Sequence, residues 1–89
     1  MNRLSSREVI RNPVMTEDAV NLLESENKLT FIVDPSADRA QVKKAVEDLY
    51  EVKVQKVNIC NTFSGQKKAF VRLRPQFRAS DVATKLGLL

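Results

Sequence analysis

Two runs that read as strands, VKVQKVNICN from Val52 and KKAFVRL from Lys67, flank a Ser64-Gly65 pair. A Ser-Gly step between two β-rich runs signals a tight turn, and runs joined so closely pair antiparallel. Twofold alternation then turns Ala69, Val71 and Leu73 inward and Lys68, Phe70, Arg72 and Arg74 outward. The first run is less regular. Val52 and Val54 share one face, after which Val57 and Ile59 take the opposite phase. Either a bulge near Gln55-Lys56 resets the alternation, or the sheet has apolar cover on both faces. Ile32 and Phe70, apolar residues on the polar phase of their own strands, favour cover on both faces. Pro75 stops the second run.

The preceding half supplies two helices and two more strands. Val9-Ile10 before Asn12-Pro13 reads as a short strand ending at a turn. Thr16 caps a helix whose first turn holds Glu17 and Asp18, where the helix dipole favours acids. Val20 and Leu23 lie on one face of it, with Leu22 nearby, and it ends near Ser25-Glu26-Asn27. KLTFIVD alternates Leu29, Phe31 and Val33 inward, and Pro35 breaks it. Asp38 and Gln41 form a capping box for a helix that buries Val42, Ala45, Val46 and Leu49. After the hairpin, Ser80 caps a last helix from Asp81 to Leu86, with Gly87 placed to end it. The order strand-helix-strand-helix-strand-strand-helix predicts an α+β domain, a mainly antiparallel four-stranded sheet with helices packed on it. At 89 residues the chain is expected to form a single domain, residues 1–89.

Such a chain has a modest core and little room for a deep catalytic cleft. Histidine is absent and Cys60 is the only cysteine, so a disulfide framework and a Cys–His pair are excluded and a zinc site is not expected. Two glycines rule out a Gly-rich phosphate loop. Glu17-Asp18 are adjacent, point in different directions and read as dipole partners rather than catalytic carboxylates. Cys60 reads as a semi-buried strand residue. The expectation is a non-enzyme without cofactor or metal, in a reducing interior. No apolar run nears the ~18 residues of a membrane span and no signal-peptide pattern opens the sequence, so direct membrane insertion is not expected.

Charge is more telling than its net value of +4. From Lys53 to Arg78 the chain has no Asp or Glu, yet it carries Lys53, Lys56, Lys67, Lys68, Arg72, Arg74 and Arg78. Asn12 to Asn27 is the converse, with four acids and no Lys or Arg. Segregated charge implies different partners for different faces. A basic row with Phe70 inside it suits phosphate contacts plus packing or stacking on RNA. A lone strand lysine would be an ordinary guard against edge aggregation. Seven bases without an acid are more than that guard requires. Arg3, Arg7 and Arg11 extend the candidate surface or belong to a mobile terminus. An RRM also has this length, but Lys68 and Leu73 stand where its aromatics belong, and the chain ends in a helix. A free-standing RNA-binding module and a protein-interaction module using the acidic helix remain alternatives.

KKAFVRL resembles the signature of ribosomal protein twenty-three of the large subunit: a basic pair, a small residue, a β-former, an aliphatic, a basic residue and Leu. That signature continues with an apolar residue nine positions after the Leu, which Val82 supplies; Arg74 stands where a small or mildly polar residue is usual. VIRNPVMTEDAV is similar to the opening of the same family, with Asp18 in place of a usual Lys. NKLTFIVDPSADRAQVKKAVEDLYEVKVQKVN resembles its central block. The resemblance implies a constituent of the large subunit, cytoplasmic and ribosome-bound. It implies contact with large-subunit rRNA at the rim of the peptide exit tunnel, beside another small ribosomal protein. It also implies a share in the docking platform for signal recognition particle, chaperones or the translocon. On matching positions it makes Lys67, Lys68, Arg72 and Asn58 rRNA-facing and Glu17 factor-docking. Bacterial members carry a long loop between the hairpin strands, and eukaryotic members a long basic amino-terminal extension. A connection of only Asn61–Gln66 and a start just before the first motif are similar to the archaeal form.

Overall fold

The slipped alternation after Val52 is resolved by a bulge. In a computed structural model, which describes residues 6–62 and 64–86, strand β3 runs Val54–Asn61 and β4 runs Lys67–Leu73. Val54 pairs with Leu73 and Lys56 with Arg72, so Gln55 is the extra residue. The expected two-sided cover is therefore corrected. One additional residue returns Val57, 6% exposed, to the face already holding Val54, 1% exposed. The Glu47 carboxylate accepts the Val54 N–H at 3.1 Å, tying the bulge to the helix above it.

The described chain begins with a single helical turn, α1 Ser6–Val9, that the expected strand order lacked. Strand β1, Ile10–Pro13, follows, then helix α2, Glu17–Glu26, and β2, Lys28–Val33. Helix α3, Arg39–Tyr50, precedes the hairpin, and α4, Ala79–Lys85, follows it. All strand pairs are antiparallel and the sheet order is β1-β2-β4-β3. The α+β architecture with helices packed on a four-stranded sheet is thus as expected.

Local signals account for most boundaries. Thr16 Oγ1 accepts the Ala19 N–H at 3.3 Å. The Asp38–Gln41 box is closed in both directions, at 2.8 Å and 3.0 Å. In the hairpin, Thr62 N–H donates to Gln66 O at 2.9 Å, and Gly65 takes φ 79°, where an added Cβ would meet nothing but would strain the backbone. Helix α4 departs from expectation. It begins two residues earlier, its N-cap is Arg78 with no side-chain cap bond, and Ser80 lies inside it. Gly87 falls outside the described residues.

The missing cap comes from across the fold. Asn27 ends α2 in the left-handed region at φ 58°, a conformation that asparagine tolerates. Its Oδ1 accepts the Ala79 N–H at 2.7 Å, while Nδ2 donates to Phe77 O at 2.8 Å and Leu73 O at 3.3 Å. One side chain therefore joins the end of α2, the end of β4 and the start of α4.

The core lies on one side of the sheet. Leu29, Phe31, Val33, Ala69, Val71, Leu73, Val54 and Val57 meet Leu23, Val42, Val46 and Val82 from the helices, all buried. Phe31 stacks on Tyr50 with ring centroids 5.8 Å apart, and burial pushes the Tyr50 hydroxyl pKa up. Within α2 the buried pair is Ala19 and Leu23, whereas Val20 and Leu22 are half-buried.

Candidate nucleic-acid interface

Strand register sorts the basic residues into two groups. Lys28 pairs with Arg72 and Arg72 with Lys56; Thr30 pairs with Phe70 and Phe70 with Asn58; Ile32 pairs with Lys68 and Lys68 with Cys60. Since paired residues point the same way, these three rows share the sheet face opposite the core. Lys56, Asn58, Cys60 and Arg72 are exposed there, and Lys28, Ile32, Lys68 and Phe70 are half-buried. Lys68 and Arg72, four residues apart, stand about 13 Å from each other with Phe70 between them, and neighbouring strands add about 5 Å each.

Electrostatically this face is almost one-sided. Lys28 meets Glu26 at 3.4 Å, and among the described residues Lys56, Lys68 and Arg72 have no acidic partner within ion-pair distance. With little competition from carboxylates, these three cations are available to an external anion. The outward face of α3 also carries exposed Arg39, Lys43 and Lys44, but exposed Asp38, Asp48 and Glu51 lie on or beside that helix, so its charge is mixed.

Lys67 does not join the patch. Adjacent to Lys68, it faces the other side, where its Nζ donates to Ala37 O at 2.8 Å and Pro35 O at 3.2 Å. The ammonium closes the Pro35–Ala37 turn before α3. Arg11 is also engaged, its Nη2 lying 3.0 Å from Asp34 Oδ2. Hydrogen bonds from the Ser36 hydroxyl and N–H, reinforced by Arg11, hold the Asp34 carboxyl below its ordinary pKa.

The remaining expected residues sit around the patch rather than in it. Lys53 precedes β3, and its carbonyl accepts the Arg74 N–H at 3.0 Å, so the two exposed bases flank one end of the hairpin. Arg78, also exposed, joins Arg72, Glu24, Glu26 and Asn27 around an open cleft of about 520 Å³ at that end. Arg3 and the Arg7 side chain fall outside the described residues. Glu17 is exposed in the first turn of α2, beside Asp18.

Cys60 corrects another expectation: it is exposed on the basic face rather than semi-buried. Lys28 is the member of the face that the sequence reading passed over. Its signal was available, two positions before Thr30 on the outward phase of KLTFIVD. Among the described residues, no group of three or more His, Cys, Asp or Glu is placed to hold a metal ion, and no helix is long and apolar enough to cross a membrane.

Fold and face define a class, a small α+β protein with one helix-covered sheet face and one basic, acid-poor face. The chain belongs to the ribosomal protein L23 family, whose sequence profile matches residues 8–82. It is also 43% identical, over all of its 89 residues, to the large ribosomal subunit protein uL23 of Dictyostelium discoideum. It covers 53% of that relative, so the chain spans about half the length of this curated protein.

Proposed function

We propose that this protein is a non-catalytic constituent of the large ribosomal subunit that binds large-subunit rRNA through the outer face of β3 and β4. The single observation that carries the reading is the cluster of Lys56, Lys68 and Arg72 on one face without acidic partners among the described residues. Family membership supports the ribosomal setting. Lys53, Arg74 and Arg78 extend the contact at one end of the hairpin, and Asn58 supplies an amide able to meet ribose or a base edge. Lys67 acts through the Pro35–Ala37 turn, and Arg11 through Asp34.

The finer reading places the protein at the rim of the exit tunnel, beside a small ribosomal neighbour. Glu17 and Asp18, exposed at the start of α2, are then free to receive signal recognition particle, chaperones or the translocon. The short connection between β3 and β4 supports the archaeal-type, short-loop form of the hairpin.

Sucrose-gradient sedimentation of a cell extract tests the proposal. The expected result is co-migration with large subunits at low salt, with Glu17→Lys co-migrating equally but recovering less of the docked factors. Migration as a free small protein under conditions that preserve ribosomes contradicts the ribosomal reading; unchanged factor recovery contradicts the role of Glu17.

A further inference from the structure

The position of Phe70 is not explained by phosphate neutralisation. It is half-buried on the basic face and belongs neither to the buried core nor to the half-buried hydrophobics packed against that core. Among the described residues the one ring pair is Phe31 with Tyr50, so Phe70 has no aromatic partner. Lys68 and Arg72 bracket it along its strand, and Lys28 and Lys56 lie diagonally across its neighbours. Beside it are the exposed Asn58 amide and the Thr30 hydroxyl, which is buried and has no hydrogen-bond partner among the described residues.

We propose that this face receives an unpaired nucleotide of the RNA, its base stacked on Phe70 and its flanking phosphates held by Lys68 and Arg72. The inference deepens the RNA-binding reading above and rests on it. A duplex backbone needs only the cations, because its bases are stacked on one another and offer no free face. An unpaired base has such a face, and an aromatic ring among cations is the surface that accepts it. Asn58, exposed beside the ring, is placed to meet the base edge or the ribose 2′-hydroxyl.

The test titrates the full chain with decauridylate, with a ten-base-pair RNA duplex, and with an abasic ribose-phosphate decamer. Phe70→Leu, which keeps apolar volume but removes the ring, is expected to weaken decauridylate binding by about 5- to 100-fold while leaving the salt dependence and duplex binding unchanged. Phe70→Tyr is expected to bind as the wild type does. The abasic decamer needs no variant: it should bind the wild-type chain more weakly than decauridylate by a similar factor. Equal affinity for the two decamers overturns the stacking proposal. Should a variant with Gln at Lys56, Lys68 and Arg72 then still lose salt-dependent binding, the RNA reading stands without stacking. If that variant binds all three probes as the wild type does, the RNA reading itself fails.

Discussion

Replacing Lys56, Lys68 and Arg72 together with Glu is expected to weaken binding to large-subunit rRNA on the order of 10³-fold at moderate salt. The prediction follows from the geometry of the face. The three cations lie in two adjacent strands on one side, and no carboxylate among the described residues lies within ion-pair distance of them. Each phosphate contact contributes about 0.7 to 0.9 to the slope of log affinity against log salt, so losing three should flatten that slope by about 2 to 3. The fold should persist, because the side chains of Lys56 and Arg72 are exposed and Lys68 is half-buried on the face away from the core. Lys67→Met provides the contrast. It should lower the melting temperature by releasing the Pro35 and Ala37 carbonyls while leaving the slope unchanged. A triple variant with wild-type affinity and slope, measured by filter binding across a salt series, contradicts the assignment.

Asn27→Ala is expected to have the largest effect on stability of any single substitution outside the hydrophobic core. The three hydrogen bonds of the Asn27 amide contribute about 1 kcal/mol each, and alanine in the left-handed region costs about 1 kcal/mol more. With partial relaxation the loss is about 3 kcal/mol, which for a domain of this size lowers the melting temperature by roughly 10 to 20 °C. Asn27→Gly removes the same bonds but tolerates the backbone conformation, so it should fall between the wild type and the alanine variant. Thermal unfolding followed by circular dichroism checks the order. Equal melting temperatures for all three chains would show that the junction of α2, β4 and α4 is held by other contacts.

How much of this was readable in the sequence differs from one element to the next. The capping box of α3, the acid-rich first turn of α2 and the Ser64-Gly65 turn are local devices, and each operates where its residues stand. The bulge was legible only as an ambiguity. A slipped alternation is produced equally by an extra residue and by apolar cover on both faces, and choosing between them requires the partner strand. Glu47, which fixes the bulge, lies seven residues away in α3. Asn27 could be read as a helix stop, but its bonds to residues 46 to 52 positions distant carry no local signature. The start of α4 was misplaced for that reason: Asn27 accepts the Ala79 N–H from across the fold, so the helix opens at Ala79 rather than after a Ser80 cap.

The candidate face was legible as composition and less so as geometry. An acid-free hairpin with a basic row was evident from residues alone; alternation grouped Lys68, Phe70, Arg72 and Arg74, of which the first three share the outer face and Arg74 lies just past the end of β4. The same alternation separates Lys67 from Lys68, yet the matching family motif presents them as a pair. Physical period and motif gave different answers there, and the carbonyls of Pro35 and Ala37 show where the Lys67 ammonium is held. Arg11 was likewise counted by its charge, whereas its partner Asp34 lies 23 residues later.

The proposed RNA contact is the outer face of β3 and β4, and not the mixed-charge surface of α3. Ultraviolet cross-linking within purified large subunits, followed by mass mapping of the nucleotide-bearing peptides, tests this directly. Adducts are expected on the segments containing residues 56–60 and 68–72. Adducts concentrated around Arg39, Lys43 and Lys44, with both hairpin segments unmodified, would contradict it.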